Sequence, residues 1–179
     1  AVPAGDDTAM RNVIADWAEA LRNDLNLTGA LGIPGHRDNW GIKAGAVLVE
    51  CALAMPRHAN AAQWLSFGRT LLDESLAKVS DAQGWFRESP HYLNYSLANL
   101  FTAAVAVQSR TGVDWFEDLA PFARLALDMR QPDGWSAPFE EGVSTTFPYD
   151  VFAGRMTSLA PQLAWAWSNS PKAATNFEN

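Results

Sequence analysis

An all-α fold built from antiparallel helical hairpins is what this sequence predicts, and three observations predict it. Apolar residues recur at the helical period in almost every patterned segment. No stretch alternates apolar and polar residues for long enough to read as a strand. Two long loops open alike, Asp81-Ala82-Gln83-Gly84-Trp85 and Gln131-Pro132-Asp133-Gly134-Trp135, about 50 residues apart, as expected of repeated hairpins with rich loops at one end.

Six helices are expected, over residues 8–23, 40–55, 59–78, 90–110, 115–129 and 157–167. The second follows Asp38 and Asn39, either of which suits an N-cap; it carries an apolar run over 46–55 and is stopped by Pro56. The third follows at once, because the connection near Pro56-Arg57 is short, as between antiparallel neighbours. The fourth sets Leu93, Leu97, Leu100 and Ala104 on one side as a core stripe, with Tyr92, Tyr95 and Asn99 opposite and His91 at the edge. A short Thr111-Gly112 connection and a capping Asp114 introduce the fifth. Loops 26–39, 80–89 and 131–155 are long and chemically rich, and the length of the third suits a cavity rim or lid.

The chain's 179 residues suffice for one α-helical domain over 1–179 with a full core. A composition 48% hydrophobic and 18% charged is that of a globular protein. No apolar run approaches the roughly 18 residues of a membrane span, so no membrane partner is expected. Net charge is −7 with no Lys/Arg-rich tract, which argues against nucleic acid, whose phosphates need clustered cations. Eight tryptophans either fill a core or serve as platforms for sugar rings. The single cysteine, Cys51, lies in the apolar run of the second helix and reads as a core residue. The residues Ala1-Val2-Pro3-Ala4-Gly5 suit a mature end left by signal cleavage, and a secreted or periplasmic setting is expected.

The polar face of the fourth helix points to chemistry. Tyrosine, with an unperturbed pKa of about 10, acts as a base only where nearby cations or donors favour phenolate. Arg37 and Arg87 are the expected suppliers. Asn39, with Arg37 and His36, is expected to project into the same cavity, where a neutral amide holds a substrate carboxylate and stabilises charge spreading onto it. Glu88 reads either as a site residue or as a first-turn charge offsetting the helix dipole. Trp40, Trp85 and Trp135 are candidate sugar platforms. The three histidines, His36, His58 and His91, have no ligand-like spacing, so neither metal nor cofactor is expected; His58 reads as an exposed residue at a helix start. No Gly-x-Ser-x-Gly elbow supports a serine nucleophile.

These residues resemble a family. His91-Tyr92-Leu93-Asn94-Tyr95-Ser96-Leu97 looks like the His-Tyr-His-Asn-Tyr-Ala-Leu segment of alginate lyases. Glu88-Ser89-Pro90, with Tyr92 and Tyr95, is similar to the Glu-x-Ser-Pro-x-Tyr-His-x-Tyr pattern of heparinase II/III-type lyases, and Gly112-Val113-Asp114, Pro132-Asp133-Gly134 and Pro138 follow in the heparinase-like order. Asn39-Trp40 before an alanine-rich helix resembles the segment that supplies the carboxylate neutraliser.

The resemblance implies an incomplete (α/α) toroid and β-elimination of an anionic, uronic-acid-containing polysaccharide or oligosaccharide. Asn39 would hold the uronate carboxylate, a tyrosine or histidine would remove the C5 proton, and a tyrosine would protonate the leaving oxygen. Matching positions give Tyr95 the tyrosine role, and Tyr95, Asn39 and His91 are the expected catalytic residues. His36, Arg37, Trp40, Trp85, Arg87, Glu88, Tyr92, Asn99 and Trp135 would contact substrate. Two departures stand out: His36 precedes Asn39 by three residues instead of following an asparagine, and the family's later histidine has no counterpart. Six helices make about half a ring, so a piece of a larger toroid and a second chain completing it both stay open. The competing readings are a helical-barrel glycoside hydrolase using carboxylates such as Glu88, Asp133 or Glu140, and a non-catalytic carbohydrate-binding domain.

Overall fold

The computed structural model describes residues 4–26, 37–81 and 86–115, together with 118, 119, 121, 122 and 125. Four helices run through them: α1 (Ala4–Asn26), α2 (Asn39–Ala54), α3 (Ala61–Val79) and α4 (Pro90–Thr111). Asp118, Leu119, Pro121, Phe122 and Leu125 are also helical, within the expected fifth helix; the expected sixth, 157–167, lies outside the described residues. The all-helical class therefore holds for the described part.

Local chemistry sets the helix ends. Asp38, in extended conformation, caps α2 by accepting from the backbone N–H groups of Trp40 (2.9 Å) and Gly41 (3.3 Å). Pro56 cannot continue the helix, and the Met55 N–H closes it on the Cys51 carbonyl at 3.0 Å. The turn that follows is bonded from His58 to Met55, so α3 starts at Ala61, two residues later than expected. Ser89 caps α4, with Pro90 in the first turn where its missing N–H costs nothing. Gly112 ends α4 at φ 73°, the left-handed conformation that relieves a helix C-terminus.

Helix α2 is central, packing against α1, α3 and α4. Its Ile42, Ala46 and Val49 join Leu72 of α3 and Leu93, Leu97, Leu100, Phe101 and Ala104 of α4 in the main core, continued by Leu119 and Phe122. Each fully buried Leu or Ile side chain contributes about 1.5–3 kcal/mol. Leu48, Ala52 and Met55 instead meet Ala15 and Ala18 of α1 and Trp64 of α3 in a second cluster. Glu19 fastens α1 there: it accepts from the indole Nε1 of Trp64 at 2.9 Å and from Asn60 Nδ2 at 3.1 Å, and pairs with Arg22. The outer face of α1 leaves Met10, Val13, Ile14 and Trp17 exposed, Trp17 by 73%.

Antiparallel packing of α2 on α3 is set by two glycines. Gly45 lies against Leu72 and the Gly68 carbonyl, while Gly68 lies against Leu48, Val49 and the Gly45 carbonyl. Rising numbers in α2 thus meet falling numbers in α3, backbone against backbone. Cys51, expected in the core, is half-buried beside the second cluster; burial, then the charge of Glu50, pushes its thiol pKa up.

Candidate functional site

Helices α2 and α4 bring their N-terminal ends together. The link is Glu88, one residue before the α4 cap: its carboxylate accepts from the backbone N–H of Asn39 at 3.2 Å and from Asn39 Nδ2, also at 3.2 Å. The Asn39 N–H is one of the donors that the first turn of α2 leaves without an intrahelical partner, so Glu88 acts as a second cap supplied from 49 residues away. Glu88 is placed by the pinched base of the loop before it. Ser80 and Phe86 form an isolated antiparallel bridge, and the Arg87 N–H donates to the Val79 carbonyl at 2.7 Å. The end of α3 therefore delivers Glu88 and Ser89 to the start of α4.

Electrostatics at this end are mixed. Two helix N-termini contribute partial positive charge, and Asp38 and Glu88 answer it. Burial pushes the Glu88 carboxyl above the usual carboxylate range; the two hydrogen bonds from Asn39 oppose that, the charge of Asp38 adds to it, and Lys78 works against it. Glu88 thus ionises less readily than an exposed glutamate.

One turn further in, Lys43 bridges the two helices. Its ammonium lies 5.5 Å from the centroid of the Tyr95 ring and 6.0 Å from that of Trp40. Tyr95 is half-buried rather than sealed in the core, and Trp40 is 61% exposed. A flat exposed indole beside a cation suits stacking of a sugar ring together with charge pairing to its carboxylate.

The other expected site residues divide plainly. Asn39 is buried at 7% exposure, with its amide on Glu88. Arg37 pairs with Glu74 of α3. Arg87 is exposed and is used here through its backbone. Tyr92 is half-buried against the main core, as a wall residue. The Asn99 side chain donates to the Tyr95 carbonyl at 2.7 Å, one turn back along its own helix. His91 lies in the first turns of α4, but its side chain is outside what is described; His36, Trp85 and Trp135, with loop residues 131–155, lie outside the described residues. His58 is exposed, its ring stacked on Trp64 at 4.4 Å.

Lys43 is not among the site residues expected from sequence. Its place three residues after Trp40, hence on the same helix face, is the signal that would have drawn it into the site. The Arg37–Glu74 and Asn39–Glu88 contacts leave no local signal, because their partners lie 37 and 49 residues apart. No family model, curated protein or solved structure matches this chain.

Proposed function

We propose that this chain is a lyase-like helical domain, part of an incomplete (α/α) toroid, that cleaves a uronic-acid-containing polysaccharide by β-elimination in a secreted or periplasmic setting. One observation carries the reading: Asn39 presents a backbone N–H and a side-chain amide to a carboxylate, that of Glu88, one helical turn from Lys43, whose ammonium faces the Tyr95 ring. Asn39 Nδ2 has two hydrogens, and the Glu88 bond uses one of them. The second is the donor for a uronate carboxylate, which makes the C5 hydrogen more acidic. Tyr95 or His91 takes that proton, the C4–O bond breaks, and a C4=C5 double bond forms as a tyrosine protonates the leaving oxygen. Water is not consumed. Trp40 and Lys43 hold the neighbouring sugar by its face and its charge.

The test is absorbance from unsaturated uronyl ends after incubation with alginate, heparan sulfate or polygalacturonate, alone and with a second copy or further chain present. Signal is expected with at least one polymer, and Tyr95→Phe should abolish it. Replacing Asn39 by Ala should lower kcat about 10²–10³-fold, the cost of one charge-stabilising donor. Products without the chromophore overturn the reading. They would select hydrolysis, the competing carboxylate-based reading.

A further inference from the structure

We infer that Glu88 is the positioning residue of Asn39, setting which way round its amide sits, rather than a residue that touches substrate. The inference rests on the lyase reading for its catalytic consequence, but its geometry does not. An ionised carboxylate only accepts hydrogen bonds. Facing Asn39, it therefore requires the nitrogen, not the oxygen, of the amide to point toward it, as observed at 3.2 Å. The backbone N–H of the same residue donates to the same carboxylate, so the amide is held at two points. Asn39 Oδ1 and the second Nδ2 hydrogen are then both turned away from Glu88. Without this contact the amide is free to take either flip, and one of them presents an acceptor where a uronate needs a donor.

Three features make Glu88 suited to this role. It sits outside the helices, on a strut tied to the end of α3 by the Ser80–Phe86 bridge and the Arg87–Val79 bond. It is half-buried, which shields the contact from water. Asp38 and Ser89 are the N-caps of α2 and α4, so the share of Glu88 in starting α2 is the Asn39 N–H alone, and its bond to the Asn39 side chain goes beyond capping. The charges acting on it are Asp38 from the start of α2 and Lys78 from the end of α3, with opposite effects.

The experiment compares wild type with Glu88→Gln, which keeps the shape but adds N–H donors able to pair with Asn39 Oδ1. In wild type, the Asn39 side-chain amide resonances (assigned by their loss in Asn39→Asp) should move in the same pH step as the Glu88 carboxyl carbon. That arm needs no substrate and no Glu88 variant. In Glu88→Gln the step should vanish and, with the far-ultraviolet helix signal unchanged, kcat should fall about 10²-fold with little change in KM, the cost of a misplaced catalytic group. The inference is overturned if the Asn39 amide does not follow Glu88 in wild type, or if Glu88→Gln keeps wild-type amide shifts and kcat. Absence of unsaturated product from wild type counts against the lyase reading alone, and the amide arm still decides the role of Glu88.

Discussion

Replacing Gly68 by alanine should destabilise the protein, although alanine is the better helix former. The substitution sits mid-helix in α3, where the propensity gain is about 1 kcal/mol. Against it stands the space. A Cβ on Gly68 would lie 2.8 Å from the Gly45 carbonyl oxygen, 3.0 Å from Leu48 Cβ and 3.2 Å from Val49 Cγ2. The nearest of these is backbone, so no rotamer change relieves it, and α2 and α3 must separate instead. A gap of about 0.5 Å forfeits roughly a quarter of each van der Waals contact it opens, and α2–α3 is the most extensive helix pair among the described residues. Overpacking against rigid backbone falls in the upper part of the usual range, about 2–3 kcal/mol, leaving a net loss of about 1–2 kcal/mol after the propensity gain. At roughly 2–4 °C per kcal/mol for a chain of this size, Tm should fall by roughly 2–8 °C. Thermal unfolding followed by far-ultraviolet circular dichroism measures it, with Ser66→Ala, an exposed site on the same helix, as the control for propensity. A Gly68→Ala protein that gains stability as the control does would refute the close backbone crossing.

Glu19, held to a pKa of about 2 by hydrogen bonds from Arg22, Trp64 and Asn60, ionises more readily folded than at its ordinary 4.5. Its contribution is therefore complete above about pH 4.5 and lost as pH falls toward 2, so Glu19→Gln should flatten that part of a Tm-against-pH curve; an unchanged slope would remove Glu19 as its source. Gly112→Ala should cost about 1 kcal/mol by denaturant unfolding, because nothing lies within 4 Å of the new Cβ and only the left-handed backbone resists it. A larger loss would mean that Gly112 packs against something.

Periodicity made the helices readable, and it did so where one face meets the core. The Leu93, Leu97, Leu100 and Ala104 stripe is buried, while Tyr92, Tyr95 and Asn99 are half-buried on the other side. Helix ends were readable where a residue type has a local job, as with Pro56 after α2. Asp38 and Asn39 were equivalent as capping candidates in sequence. The structure separates them, because Asp38 turns back on Trp40 and Gly41 and leaves Asn39 for Glu88. Helix α1 runs farther than expected at both ends, over Ala4–Asn26, and leaves Met10, Val13, Ile14 and Trp17 exposed. Contacts between distant segments had no local signature, and the candidate site is made of them.

The balance of charge at that site differs from the balance of the whole chain. A net charge of −7 disfavours approach of a polyanion from a distance. Screening limits that effect to roughly 8 Å at physiological salt, so the charges close to the site weigh most. Lys43 stands within 6.0 Å of both aromatic rings, two helix N-termini add partial positive charge, and Arg37 is spent on Glu74. Asp38 is engaged with backbone N–H groups. Glu88 is a further anion among the described residues here, and burial raises its pKa, which lessens its charge relative to an exposed glutamate. A bound carboxylate reaching Asn39 would raise that pKa further, because like charges at close range do not ionise together.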